Sequence, residues 1–209
     1  MDRYDILIRP IEKNILSKIR TKLIPSAKGD VLEIGCGTGV NFSYYNRNSV
    51  RSLSALDLHI KPQARERVCF PTTFIEGRAE NLPFPDNCFD TVVETLVLCC
   101  VKNLPASINE ILRVLKPGGI FIFLDHEKPP EKGLAFLFRA VDSFWPRIAG
   151  GCHLTREPHK LIEISDFRIE KSGTAGREIF HWGIGRKLNP ANCHRPKSVA
   201  CRATDKVLE

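Results

Sequence analysis

Between residues 31 and 42 the chain reads Val-Leu-Glu-Ile-Gly-Cys-Gly-Thr-Gly-Val-Asn-Phe, a strand-like run that enters glycines at 35, 37 and 39. Three alternate positions without a Cβ let a ligand lie against the peptide backbone, and a helix beginning here directs free N–H groups at it. A dinucleotide pyrophosphate fingerprint needs one more glycine where Val40 stands, so that reading loses its third contact. Asp57 closes the next apolar run, 18 residues after Gly39. There a carboxylate can accept hydrogen bonds from both hydroxyls of an adenosine ribose. A second chemical group follows a later run as Asp125-His126. Imidazole titrates near neutrality and can take a proton from a thiol, amine or phenol; a structural histidine is the other reading. Neighbouring strand residues face opposite ways, so Asp125 and His126 need not form a dyad.

The eight cysteines include no C-x-x-C pair. Cys99 and Cys100 read as small buried hydrophobes rather than catalytic or methylated thiols. Cys152-His153 and Cys193-His194, with Cys201, match no zinc spacing, and no metal is expected. No cleavable signal peptide is expected, so the thiols are expected reduced, in a cytoplasm.

Something must hold these residues together. Short apolar runs recur over 31–35, 53–57, 72–76, 89–96 and 120–125, with helix-like or irregular stretches between. Two more runs, about 167–171 and 178–185, complete a sheet. The alternation predicts an α/β fold: a doubly wound, mostly parallel seven-stranded sheet with helices on both faces. Lys116-Pro117-Gly118-Gly119 is expected to stop a helix and start a strand, and Thr155 to cap the helix of Leu161 and Ile162.

Two segments stand outside the alternation. Residues 4–24 space Ile8, Ile11, Ile15, Ile19 and Leu23 three and four apart among Arg9, Lys13, Lys18, Arg20 and Lys22, a basic amphipathic helix. It suits packing on the sheet or covering a pocket, with peripheral membrane contact as the alternative. Residues 134–148 carry Phe136, Phe138, Phe144 and Trp145 before Gly150-Gly151 and predict a helix over the carboxyl edge of the sheet. Those aromatics are either a lid or acceptor pocket, or core. The domain boundaries expected are a helix over 1–28, the α/β domain over 29–188 and a basic tail over 189–209.

Charge and length narrow the function. At 209 residues the chain suffices for one domain that buries roughly 70% of its unfolded surface without staples. Its net charge of +7 sits at the ends, while residues 31–185 hold 18 basic and 18 acidic side chains. The central region has no electrostatic reason to take nucleic acid. No apolar window is long enough to cross a membrane.

The stretch from Gly77 to Asp90, Gly-Arg-Ala-Glu-Asn-Leu-Pro-Phe-Pro-Asp-Asn-Cys-Phe-Asp, resembles the third motif of class I S-adenosylmethionine-dependent methyltransferases with a type 11 domain. Residues 95–102, 113–119, 125–126 and 151–157 are similar to the alkyl thiol methyltransferase branch. The resemblance covers about residues 25–185 and implies a Rossmann-like methyltransferase fold with S-adenosylmethionine as cofactor. It implies that Glu33 and the loop glycines Gly35, Gly37 and Gly39 hold the methionine end, Asp57 the ribose, and Arg78 with Ala79 the adenine edge, with Cys36, Leu58 and Glu80 as further cofactor-binding positions. Thr95 and Leu96 complete the cofactor positions, and His126 with Asp125 are the catalytic candidates. The wider family commonly has aspartate where Arg78 stands, and the animal members of the branch begin with a membrane anchor that is not expected here.

The expected activity is methyl transfer to a small, lipophilic acceptor, with a thiol implied by resemblance alone. Alternatives are a phospholipid headgroup amine or quinone precursor as acceptor, a non-catalytic S-adenosylmethionine-binding module, and a nicotinamide-dependent oxidoreductase. The oligomeric state is open.

Overall fold

All seven apolar runs are strands in the computed structural model, which describes residues 9–68 and 70–189. They are β1 (Gly29–Ile34), β2 (Val50–Asp57), β3 (Thr72–Glu76), β4 (Phe89–Thr95), β5 (Leu115–His126), β6 (Phe167–Ala175) and β7 (Phe180–Lys187). They form one sheet in the order β3-β2-β1-β4-β5-β7-β6. β7 runs antiparallel to both of its neighbours and the rest of the sheet is parallel. The chain leaves β1 for β2 on one side and returns to β4 on the other. This reversal opens a crevice at the carboxyl ends of β1 and β4, where doubly wound sheets bind ligands.

Alternation along the strands assigns each side chain to a face. Val31, Val93, Ile122 and Leu124 join a core layer with Leu16, Ile19, Leu23 and Phe42, whereas Leu32, Val92, Phe121 and Phe123 join a second layer with Ile108, Ile111 and Ile162. Glu33 and Thr95 therefore face the N-terminal helix, and Glu94 and Asp125 face the other side.

The helices are α1 (Ser17–Leu23), α2 (Pro62–Arg67), α3 (Leu104–Val114), α4 (Lys132–Asp142), α5 (Trp145–Ile148) and α6 (Pro158–Ile164). The Asn103 side chain caps α3 by accepting the Ala106 N–H at 3.0 Å. Its buried residues Ser107, Ile108, Ile111 and Val114 recur at helical spacing against β4 and β5.

Four local expectations need correction. The N-terminal helix is described only from residue 9, which leaves Ile8 outside, and a π-turn over Glu12–Leu16 shifts its phase. Leu16, Ile19, Arg20 and Leu23 turn inward while Ile11 is exposed, so a residue read as part of the basic face is buried. The helix expected over 134–148 is broken at Ser143-Phe144 into α4 and α5, neither with a buried residue. Phe136 and Phe144 are exposed, whereas Trp145 packs partly buried against Cys99, Ala149 and Cys152. The cap position of α6 is Glu157, without a side-chain hydrogen bond, while Thr155 donates its hydroxyl to Asp142 at 2.9 Å. Residues 116–119 belong to β5 itself, which begins at Leu115 and takes up the irregularity as a register shift opposite Phe89 and Thr91. The tail beyond residue 189, Cys193, His194 and Cys201 included, lies outside the described residues, as does Cys69.

Candidate active site

The glycine loop is tied to β2. The N–H groups of Gly35 and Cys36 donate to the Leu56 carbonyl at 2.7 and 3.1 Å. Asp57 accepts the Gly37 N–H at 2.8 Å through Oδ2 and the His59 N–H at 3.3 Å through Oδ1. Gly37 has a φ of +53°, and among the described residues nothing beyond its chain neighbours lies within 4 Å of where its Cβ would stand. That open ground beside a partly exposed carboxylate is the room a ribose and its neighbouring groups require. The next side chain, Leu58, is 52% exposed, an apolar surface able to face an adenine ring. The helical segment after the loop is shorter than expected, a single 3-10 turn over Val40–Tyr44.

Glu33 lies beneath this loop, fully buried. It accepts the Tyr45 hydroxyl at 2.7 Å and the Asn41 amide at 3.1 Å. Burial pushes its carboxyl up to about 7, against the pull of those two donors and of the Arg20 charge. Arg20 reaches in from α1 and is 4% exposed. Its guanidinium donates to Thr95 Oγ1 at 2.7 Å, to Asn41 Oδ1, and to Glu12 Oε1 at 3.0 Å. Leu96, directly after β4, has a φ of +61°, a strained conformation for a branched side chain.

In the loop after β3, Arg78 and Asn81 form an isolated bridge and Ala79 is buried. Glu80 turns away from the crevice: its Oε1 accepts the Lys102 N–H at 2.7 Å and the Asn103 N–H at 3.4 Å. Arg113 holds the same loop through the Phe84 carbonyl at 2.7 Å and the Leu82 carbonyl at 3.0 Å.

A second group of side chains meets further along the edge. His126 Nε2 lies 2.7 Å from Cys152 Sγ, and the Trp145 indole N–H donates to the same sulfur at 3.4 Å. Cys99 Sγ lies 3.6 Å from Cys100 Sγ. Cys99, His126 and Cys152 are all buried, and their sulfur and ring-nitrogen atoms lie within 4.8 Å of one another. Loop 151–157 is stitched to the loop after β4 by the His153 N–H, which donates to the Cys99 carbonyl at 3.1 Å, and by Arg156, which donates to the Cys99 and Val101 carbonyls. Hydrogen bonding with Cys100 and Cys99, and then with His126, holds the Cys152 thiol well below the usual range. Burial works against a charged His126 ring, and the Cys152 sulfur more than offsets it, so its pKa is raised.

Asp125 is not part of this group. Its Oδ1 accepts the Cys99 N–H at 3.3 Å, and its carboxyl faces that of Glu94. Burial raises both, Asp125 to about 6, with the neighbouring Asp125 charge adding to the rise at Glu94. Both carboxyls lie buried beneath the loop after β4.

The methyltransferase domain family matches residues 32–123. Over 169 residues the chain is 36% identical to thiol S-methyltransferase TMT1B of Rattus norvegicus and 34% identical to thiol S-methyltransferase TMT1A of Homo sapiens. Each alignment covers 75% of this chain and 67% of the relative. The chain belongs to the S-adenosylmethionine-dependent methyltransferases. The fold agrees with the solved structure of an S-adenosylmethionine-dependent methyltransferase from Mesorhizobium loti, at a TM-score of 0.65, 19% identity and coverage of 81% of this chain and 96% of that one.

In this methyltransferase the sequence-derived candidates separate into three places. Gly35, Cys36, Gly37, Gly39, Asp57 and Leu58 line or border the crevice, with Glu33 and Thr95 beneath it and Leu96 at its rim. Ala79 and Glu80 brace the adjacent loop. His126 lies with Cys152, not with Asp125. The residues that sequence reasoning missed are Arg20, Asn41, Tyr45 and Arg113. Cys152 was noticed only beside His153, whereas its partner is the distant His126. Among the described residues no helix is long and apolar enough to cross a membrane.

Proposed function

We propose that this methyltransferase transfers a methyl group to the sulfur of a small lipophilic thiol. The observation that carries this reading is the sulfur-lined group of Cys99, His126 and Cys152 on the same sheet edge as the glycine loop, in a chain about a third identical to thiol S-methyltransferases. Bound S-adenosylmethionine supplies a methyl on a sulfonium: the acceptor sulfur's electron pair makes the new C–S bond as the old one breaks, leaving two thioethers.

The protein's task is alignment and exclusion of water. Holding reacting atoms in line near 3–3.5 Å is worth roughly 7–11 kcal/mol of barrier, so no catalytic triad is required. Asp57 holds the ribose hydroxyls, the backbone at Gly37 leaves the cofactor its space, and the Glu33–Asn41–Arg20 network supports the methionine end. Helices α4 and α5 and the break between them expose Phe136 (74%), Leu137, Phe144 and Ile148, an apolar surface suited to a lipophilic acceptor. Residues 29–188 are the catalytic domain, and the preceding helix closes one face of the cofactor crevice. The buried thiols suit a reducing compartment such as the cytoplasm.

The test is an incubation with S-adenosylmethionine and a panel of alkyl and aryl thiols, phospholipid amines and quinone precursors, read by mass spectrometry. Methylated sulfur on the thiols is expected, and methylation confined to the amines or phenols overturns the assignment. Asp57→Ala removes an ionic acceptor worth about 1.5–3 kcal/mol, so cofactor affinity by calorimetry is expected to fall roughly ten- to a hundredfold. His126→Ala is expected to lower turnover at least tenfold while S-adenosylhomocysteine affinity stays within about twofold. Loss of both together would make His126 structural.

A further inference from the structure

We propose that Cys99, His126 and Cys152 form a site for a zinc-class divalent cation whose fourth position takes the acceptor's sulfur as a thiolate. The site deepens the thiol reading and rests on it for the identity of the fourth ligand.

Two sulfurs and an imidazole are the donor set that selects zinc over hard cations. Here they come from three separate elements: the loop after β4, the last residue of β5, and the turn after α5. All three residues are buried, and their donor atoms lie within 4.8 Å of one another. A tetrahedral ion with bonds of about 2.3 Å to sulfur and 2.0 Å to nitrogen spaces its ligands roughly 3.5–3.8 Å apart. The His126–Cys152 contact of 2.7 Å therefore has to widen by roughly 0.8 Å to admit the ion, within the reach of side-chain torsions. The Trp145 N–H on Cys152 Sγ supplies the outer hydrogen bond that orients a thiolate ligand.

Three protein ligands with one open position is the arrangement of a reactive zinc centre; structural centres close all four. An acceptor R–SH entering the fourth position releases its proton to solvent and binds through sulfur, with no change in the ion's oxidation state. The ion then keeps the acceptor deprotonated at neutral pH, which makes a separate base unnecessary. Access is inexpensive because α5, which carries Trp145, and α4 before it bury no side chain of their own.

The full chain, reduced and metal-free, is titrated anaerobically with Co²⁺ and followed by absorption. One equivalent is expected to bind with thiolate-to-cobalt charge transfer in the near ultraviolet and the strong visible bands of four-coordinate cobalt. Adding butanethiol should raise the charge-transfer band by about half, as two thiolates become three. Cys99→Ser, Cys152→Ser and His126→Ala should each weaken Co²⁺ binding at least tenfold, while Cys88→Ser leaves it unchanged. A wild-type chain that binds S-adenosylhomocysteine but takes up no cobalt overturns the site, as does uptake insensitive to Cys152→Ser. Stoichiometric cobalt whose spectrum ignores butanethiol overturns the open position. Failure of the thiol reading has a different signature: cobalt binds through the three residues, yet the methylated products are amines or phenols.

Discussion

Gly37→Val is expected to abolish S-adenosylmethionine binding while leaving the protein folded. Among the described residues, the Cβ of Gly37 would meet no atom beyond its chain neighbours within 4 Å, so the side chain grows from open ground. The remaining penalty is the φ of +53°, about 1–3 kcal/mol for a non-glycine residue. The space filled is the space assigned to the cofactor. A loss of more than a hundredfold in affinity is expected, with a thermal midpoint only several degrees lower. Gly35→Ala should behave in the opposite way. Its Cβ would stand 2.2 Å from Val97 Cγ2, in the loop after β4, so the overlap falls inside the protein and destabilises the folded state. Calorimetric titration and thermal unfolding of the two variants separate the roles. Cofactor binding retained in Gly37→Val would place the ligand elsewhere.

The sheet was legible because its signal is local. Each strand is an apolar run bounded by turn residues, and the run 72–76 coincides with β3 at both ends. The glycine loop and Asp57 were legible because each ends an apolar run, and the parallel pairing of β1 with β2 brings them within 2.8 Å. The helix boundaries were less so. Ser143-Phe144 has the composition of a helix interior, and the break there serves the turn that brings Asp142 to Leu154 and Thr155. Periodicity alone could not place Arg20 inside either, because a π-turn adds one residue to the repeat ahead of it. Cys152 illustrates the limit of spacing rules. Its neighbour in sequence is His153, but the imidazole it meets is 26 positions away at the end of β5. No interval within one segment encodes that meeting; it arises from the stitching of loop 151–157 to the loop after β4. The opposite faces of Asp125 and His126, by contrast, are set by strand alternation alone.

The network beneath the glycine loop makes stability depend on pH, in a direction fixed by Glu33. Burial raises its carboxyl from 4.5 to about 7. Between those values the folded state holds a proton that the unfolded state has released. The contribution of Glu33 is therefore fully present below about pH 4.5, declines by up to roughly 1.4 kcal/mol per pH unit toward 7, and levels off above it. Glu33→Gln is expected to remove that decline, because its amide has no proton to lose. Arg20→Met tests the other side of the contact. At pH 5 Glu33 is neutral, so the variant loses the hydrogen bonds to Asn41, Thr95 and Glu12, about 2 kcal/mol in all. At pH 8 the charged Glu33 also loses the cation that lowers its pKa, and the penalty should grow to about 3–5 kcal/mol. Urea unfolding of wild type and variant at the two pH values measures the difference. Equal penalties would show that Arg20 anchors α1 without compensating Glu33, and the methionine end of the crevice would then lack the paired charges assigned to it.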